Sequence, residues 1–387
     1  MKTKDLAILT GIYAMNFLAA MTVLPFLPIF ALTFPNVEAG LTGIFFAIGS
    51  FALTVGTIGG GWLAEKFQRR MLLVQISSVI AFVMFLLVQY ATQFWQLTLL
   101  VSLAWFAIGV ATTMVRVIAG ILADKSERGR VFGIISASVP AMGLIAGISG
   151  GRIVDRWGFA ALFTIISVAF VIQFVLSFLI EDVKVKPSTG NAKQGKQFQA
   201  GLSFWLLVSG AVVSYIALAA MIMGRPLLMD SLNFSGTAIS GVLIAGGLVS
   251  LPMTFLVGTL SDRLGRKNMI MVCFLIAIPG LALLSIAEPL WHFWLSEMLI
   301  AGIGIANVVG FAYVADLVPQ ESLDTAMSYF SAASWIGTII GYLFIGYLID
   351  WFSISTMFLA ATACVALSLI IVLPIASPVK LKIAAKV

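Results

Sequence analysis

Charge is the scarcest property of this 387-residue chain: Asp, Glu, Lys and Arg make up 10% of it, against 61% hydrophobic residues. So little polar surface cannot cover a water-soluble globule of this length, which excludes a soluble protein and places the chain in a bilayer. Histidine and cysteine are nearly missing too. The one histidine, His292, lies between Trp291 and Phe293 and cannot build a metal cluster. Cys273 and Cys364 fall inside long apolar runs, where thiols pack as small apolar groups, and two cysteines offer no disulfide framework. The sequence carries no nucleophile–base arrangement, phosphate loop or metal-ligand set, so neither an enzyme nor a bound cofactor is expected. Also lacking are the short alternating segments of a membrane β-barrel, whose strands need only about 10 residues each.

What is present is a series of long apolar runs. Crossing the roughly 30 Å hydrocarbon core takes about 20 helical residues. The chain divides into twelve such runs, at 6–31, 39–64, 71–91, 94–121, 131–153, 158–181, 202–229, 236–261, 268–287, 291–315, 325–350 and 354–376. The expected fold class is an all-α integral membrane protein with twelve transmembrane helices. The net charge of +6 does not point to nucleic acid, because 18 of the 22 Lys and Arg fall on one side if the N-terminus is cytoplasmic. They lie at Lys2 and Lys4, Lys66 to Arg70, Lys125 to Arg130, Lys184 to Lys196, Arg263 to Lys267 and Lys380 to Lys386; the other four are Arg116, Arg152, Arg156 and Arg225. This bias puts both termini in the cytoplasm of a multi-pass cell-membrane protein and requires an even number of crossings. The first run is longer than a signal-peptide core and carries Asn16, Pro25 and Pro28, so it is expected to be retained.

Composition breaks once, between Glu181 and Gly201, where Lys184, Lys186, Lys193 and Lys196 mix with Pro187, Ser188, Gly190, Asn191 and Gln194. Such a stretch reads as a polar cytoplasmic linker. The expected organisation is a six-helix bundle at 1–181, a linker at 182–201 and a second six-helix bundle at 202–387. The halves align at their first helices: Ala19-Ala20-Met21 followed by Pro28 matches Ala219-Ala220-Met221 followed by Pro226. These prolines are expected to bend or end helices 1 and 7 near the outer face.

A sharper repeat runs through the loops. Gly258-Thr-Leu-Ser-Asp262-Arg263-Leu-Gly265-Arg266-Lys267 recurs, weakened, 197 positions earlier as Gly61-Trp-Leu-Ala-Glu65-Lys66-Phe-Gln68-Arg69-Arg70. Looser echoes stand at Gly151-Arg-Ile-Val-Asp155-Arg156-Trp-Gly158 and Gly346-Tyr-Leu-Ile-Asp350-Trp351. A unit repeated within each half and again between halves is the mark of a repeat-built membrane carrier. Gly258 is expected to let a neighbouring helix approach closely and Gly265 to permit a tight turn. Asp262 can accept hydrogen bonds from a facing helix N-terminus, while Arg263, Arg266 and Lys267 stay at the anionic leaflet surface.

The later segment closely resembles the G-x-L-x-D-R-x-G-R-[RK] signature of the major facilitator superfamily, and the twelve spans, basic linker and two-half repeat resemble that family over nearly the whole chain. The resemblance implies two pseudo-symmetric bundles that rock around a midplane site, giving each side of the membrane access in turn. By carry-over, Gly61, Glu65, Lys66, Arg69 and Arg70 play the corresponding part in the first half. There are departures. Gln68 stands where the family has its turn glycine, and Glu65 replaces its aspartate. Drug/proton antiporters resemble G-P-x-x-G-G in helix 5, where this chain reads Ala146-Gly147-Ile148-Ser149-Gly150-Gly151. The same branch carries in helix 4 an arginine four residues before a glycine, linked to proton coupling; Trp105 precedes Gly109 by four here.

Ionisable residues inside a span cost from about 3 kcal/mol upward and are candidates for function by default. Arg225, just before Pro226, and Glu297 lie at like depth from the outer ends of helices 7 and 10, as an outer gate, a substrate anchor with a proton carrier, or a static pair. Asn16 on helix 1 and Asn307 on helix 10 can hydrogen-bond a solute or another helix. Trp105 and Trp335 sit deeper than the other tryptophans and can stack on a solute or pack. Arg116 is expected to reach the cytoplasmic surface or pair with Asp124. The reading is a monomeric carrier of a small organic solute, coupled to protons or another ion, with efflux as its leading direction. Uptake or facilitated diffusion of a sugar or organic acid is the alternative; a lipid translocase and a non-transporting sensor or assembly factor are the others. Reporters active only in the cytoplasm are expected to work when fused at Gly190 and Val387 and to fail at Glu288; activity at Glu288 overturns this topology.

Overall fold

The computed structural model describes residues 2–67, 69–123, 127–180, 200–319 and 322–375, so the expected linker at 182–201 lies almost wholly outside the described residues. Among the described residues there is no strand. The helices are α1 Thr3–Val23, α2 Leu27–Ala31, α3 Ala39–Phe67, α4 Arg70–Val88, α5 Phe94–Leu122, α6 Arg128–Ser177, α7 Leu202–Ser231, α8 Gly236–Leu264, α9 Arg266–Leu284, α10 Leu290–Leu317, α11 Leu323–Trp351 and α12 Ile354–Val372. All but the short α2 are long and apolar enough to cross a bilayer.

The 50 residues of α6 would stretch about 75 Å if straight, more than twice the hydrocarbon thickness. The helix instead reverses at Gly158, whose φ of 76° and ψ of −178° suit a residue without a Cβ. Near its beginning Val131 and Ile135, and just past its end Ile180, join one apolar cluster with Ile8, Leu9 and Ile12 of α1. Midway, Gly150 touches Thr22 and Phe26 at the far end of α1, and the rings of Phe163 and Phe30 are 5.0 Å apart. Thus α6 is two antiparallel spans and α1 with α2 is one, which accounts for all twelve apolar runs.

Two compact units emerge. Unit 1 holds Met1–Ser188 with Met229–Gly247, and unit 2 holds Thr189–Leu228 with Leu248–Val387. In unit 1, α1 packs on α6, α3 on α5, and α4 on α5 and α6; in unit 2, α9 packs on α10 and α12, and α11 on α10 and α12. Lipid tails are as apolar as leucine, so helices here associate through close contact rather than escape from water. Glycines supply that contact. A Cβ on Gly56 would run into the Phe106 backbone, one on Gly60 would lie 3.2 Å from Val110 Cα, and Gly109 returns the same room to Leu53 and Thr57. The Thr113 hydroxyl then donates across this seam to the Thr57 carbonyl at 3.0 Å. In unit 2, Gly337 and Gly341 of α11 lie against Val212, Tyr215, Ile216 and Ala219 of α7.

Two sequence expectations need correction. The first span does break near its outer end, between Val23 and Leu27, with Pro28 in the opening turn of α2. Helix α7, however, does not end at Pro226 but continues to Ser231. Ending it there would leave a whole turn of backbone groups without partners in lipid, whereas continuing forfeits one bond. The close helix approach expected at Gly258 is also absent, since a Cβ there would meet nothing within 4 Å. Gly265 does make the expected turn, with φ 93° immediately before α9.

Gly56→Val is expected to destabilise the protein by about 1–3 kcal/mol through overpacking. Gly59→Val, at a position where nothing lies within 4 Å, is the control. Thermal unfolding in detergent checks the pair, and equal melting points would refute the glycine seam.

Candidate functional site

The site in unit 2 is built where α7 and α10 present charge to each other. Arg225 lies six residues from the end of α7 and Glu297 seven from the start of α10, which at 1.5 Å per residue puts each about 10 Å inside its helix end. The structure brings them together: Arg225 Nη1 donates to Glu297 Oε2, with side chains only 3% and 9% exposed. The same Nη1 lies 3.4 Å from the Met221 sulfur. Arg225 Nε and the Ser296 hydroxyl, both buried, have no hydrogen-bond partner among the described residues. Each charge of such a pair depends on the other, because removing one leaves a buried ion uncompensated.

A second polar node lies on α7, α10 and α11. Asn307 Nδ2 donates to the Ser334 hydroxyl at 3.1 Å, and Tyr215 hydrogen-bonds the same serine. Trp335, half-buried, follows Ser334 directly. Ser334 and Tyr215 were not singled out from the sequence; isolated hydroxyls on apolar helices carry no signal of which partner they meet.

In unit 1, Asn16 is 1% exposed, and neither atom of its amide has a partner among the described residues. One turn earlier Tyr13 accepts a 2.6 Å hydrogen bond from Arg116 Nη2, and the guanidinium lies 5.6 Å from the tyrosine ring centre. Arg116 therefore does more than reach for the cytoplasmic surface; Asp124, its other expected partner, lies outside the described residues. It is exposed although it sits within α5, and an exposed charge in a span calls for water rather than lipid. A signal for it was available. Arg116 precedes Gly120 by four residues, the spacing that the sequence analysis sought at Trp105 and Gly109. Trp105 itself is 8% exposed, lies over Gly49 and meets the edge of Phe46 at 6.0 Å; its ring fills the α3–α5 seam.

The basic loop between α8 and α9 is tied from several sides. Arg266 pairs with Asp262 at 3.2 Å and with Asp316, near the end of α10, at 2.5 Å. Lys267 Nζ donates to the Leu373 carbonyl just past α12 at 2.6 Å, where a cation complements a helix C-terminus. Arg263 is exposed. In the earlier copy, Lys66 lies 4.7 Å over the Trp62 ring, Arg69 is exposed and Arg70 is buried. No Cβ contact would arise at Gly61. The side chain of Glu65, and Gln68, lie outside the described residues.

Repeated all-helical architecture, charges sequestered inside the spans and a tied basic loop define a repeat-built helical membrane protein. The family model described as "Major Facilitator Superfamily" matches residues 9–306 and again 207–386, and the chain belongs to that superfamily. It is 26% identical over 179 residues to Multidrug resistance protein 1 of Bacillus subtilis, covering 46% of each chain. It is 28% identical over 173 residues to the human Lysosomal dipeptide transporter MFSD1, covering 44% of this chain and 37% of that one. The matched region thus spans less than half the length of these curated relatives. Among solved structures, a bacterial homologue of the human lysosomal transporter Spinster superposes with a TM-score of 0.79 at 17% identity, covering 95% of both chains. The nucleoside transporter NupG gives 0.81 at 14% identity, covering 96% of this chain and 99% of that one. At such identity these structures speak for the fold alone.

Arg225→Ala and Glu297→Ala are each expected to cost about 3–5 kcal/mol of stability, and the apolar double replacement Arg225→Met with Glu297→Leu to recover most of it. Unfolding midpoints of the three variants check this; a double variant no better than the singles would refute a mutually dependent pair.

Proposed function

We propose that the protein is a secondary carrier that exports a small organic solute in exchange for protons, with bundles 1–181 and 202–387 alternating access about the linker 182–201. The observation that carries this reading is the buried Arg225–Glu297 pair. A carboxylate held in a membrane span by one guanidinium is a group on which proton uptake and the pairing of a buried cation bear on each other. Taking a proton on Oε2 removes the attraction to Arg225 and leaves the guanidinium to seek an anion, water or solute, so protonation and solute contact are coupled at one place.

Arg116 supports the same reading from unit 1. It has the arginine-to-glycine spacing that the family resemblance links to proton coupling, and among the described residues it is held by a tyrosine hydroxyl. Asn16, whose amide atoms have no partner among the described residues, and Trp335 are assigned to the solute pathway, as is Trp105 at its edge. Export is favoured by similarity to a protein named for multidrug resistance. The Tyr215–Ser334–Asn307 node favours a second reading, uptake of a metabolite bearing hydroxyl or amide groups, because uncharged hydrogen-bonding groups recognise such solutes. The protein works as a monomer in the cell membrane with both termini in the cytoplasm.

Proteoliposomes carrying a pH dye test the proposal when challenged with amphipathic cations, sugars and organic anions. Solute-dependent proton movement is expected from the wild type and should fall at least about tenfold in Glu297→Gln, the change that a single lost proton carrier produces in mutant kinetics. Solute flux without proton movement, unchanged in the variant, would demote Glu297 to structure and favour a uniporter.

A further inference from the structure

We propose that Asp155 is a positioning residue of the transport cycle: it clasps the start of α8 to the end of the first arm of α6, and this clasp opens whenever the two helices part. The inference rests on the alternating-access reading. It comes from the echo Gly151…Asp155, which has the same Gly-x-x-x-Asp spacing as Gly258…Asp262 but stands at the end of the span remote from the basic loops.

The geometry is specific. Asp155 Oδ1 accepts from the Gly236 N–H at 2.7 Å. Its Oδ2 accepts from the Thr237 N–H at 2.8 Å and from the Thr237 hydroxyl at 2.6 Å. Gly236 and Thr237 open α8, so their N–H groups are among the donors that a helix cannot satisfy within itself, and they lie at the positive end of its dipole. One turn further, the Ser240 hydroxyl donates to the Gly147 carbonyl at 2.9 Å and accepts from the Gly151 N–H at 3.0 Å, wedged between two backbone groups of α6. Glycine makes this possible: a Cβ on Gly151 would run into Gly236 and Thr237, and one on Gly147 would lie 2.8 Å from Ile244.

These contacts differ from the seam between α3 and α5. There, a threonine hydroxyl supplements buried apolar packing. Here, the carboxylate that makes most of the bonds is exposed, so water can replace each of its bonds as it breaks. Any parting of the start of α8 from α6 must break the Asp155 bonds, which makes this residue one that sets how readily the start of α8 leaves.

The test uses a full-length chain with Cys273→Ala and Cys364→Ala and a reporter, Ile244→Cys, which packs over Gly147 without joining the hydrogen bonds. A membrane-impermeant maleimide is applied to intact cells. Asp155→Asn and Asp155→Ala are expected to speed labelling about tenfold, the scale of losing a charge-assisted hydrogen bond, while Asp155→Glu stays near the parent rate. Thr237→Val, which removes only the hydroxyl contact, is expected to fall between. A merely structural role would lower the melting temperature without changing labelling of folded protein well below it. Labelling rates within twofold of the parent in all variants would overturn the clasp. Ethidium movement in proteoliposomes, measured in parallel, separates the two ideas: movement with unresponsive labelling sinks the clasp and spares the carrier, whereas responsive labelling with no movement of ethidium or any solute of the panel sinks its role in a transport cycle.

Discussion

A charge inside hydrocarbon has no water to turn to, and this constraint organises the molecule. Of the four basic residues outside the cytoplasm-assigned clusters, each has found a place that limits its cost. Arg225 is neutralised by Glu297 in the interior of unit 2. Arg116 is bound to Tyr13 and remains exposed. Arg156 lies 5.2 Å from the Trp157 ring centre at the reversal of α6, and Arg152 is exposed one turn before it. A static scaffold would do without such groups, since apolar side chains of similar volume cost nothing to bury.

The same constraint acts on the backbone and on small hydroxyl groups. Thr22, Thr54, Thr57, Ser78 and Thr98 each return their hydroxyl to the carbonyl four residues earlier, which satisfies the side chain without needing another helix. Hydroxyls that depart from this habit mark places where helices depend on each other. Ser240 bonds across to α6, Ser334 receives Asn307, and Ser78 also accepts from Gln173 at 3.0 Å. Glycines decide where backbones come close enough for such bonds, so packing and polar recognition in this protein are one problem rather than two.

Much of this was legible in the sequence. Twelve apolar runs, their ends within a few residues, and the turn at Gly265 follow from hydropathy and glycine chemistry. The meeting of Arg225 with Glu297 was foreshadowed by depth, because both lie the same number of turns from one face. Arg116 was expected only to reach the cytoplasmic surface or pair with Asp124. Its partner Tyr13 is 103 residues away, and nothing local joins them. The ties of the basic loop were likewise illegible: Arg266 finds Asp316 and Lys267 finds a main-chain carbonyl at Leu373, an acceptor that has no sequence signature. Pro226 misled because its local preference to end a helix yields to the demand that backbone in lipid stay bonded.

The sequence by itself determined that the chain lives in a bilayer, how often it crosses, which loops carry the positive charge and that its halves repeat. These properties are sums along the chain, of hydropathy, charge and spacing, and need no knowledge of what faces what. Only the tertiary structure decided which polar groups meet. Each residue turns the helix by about 100°, given 3.6 residues per turn, so a side chain's partner depends on the rotation and crossing of two helices. Those are set by close contacts at residues such as Gly56, Gly109, Gly147 and Gly151, many positions away from the groups that they bring together.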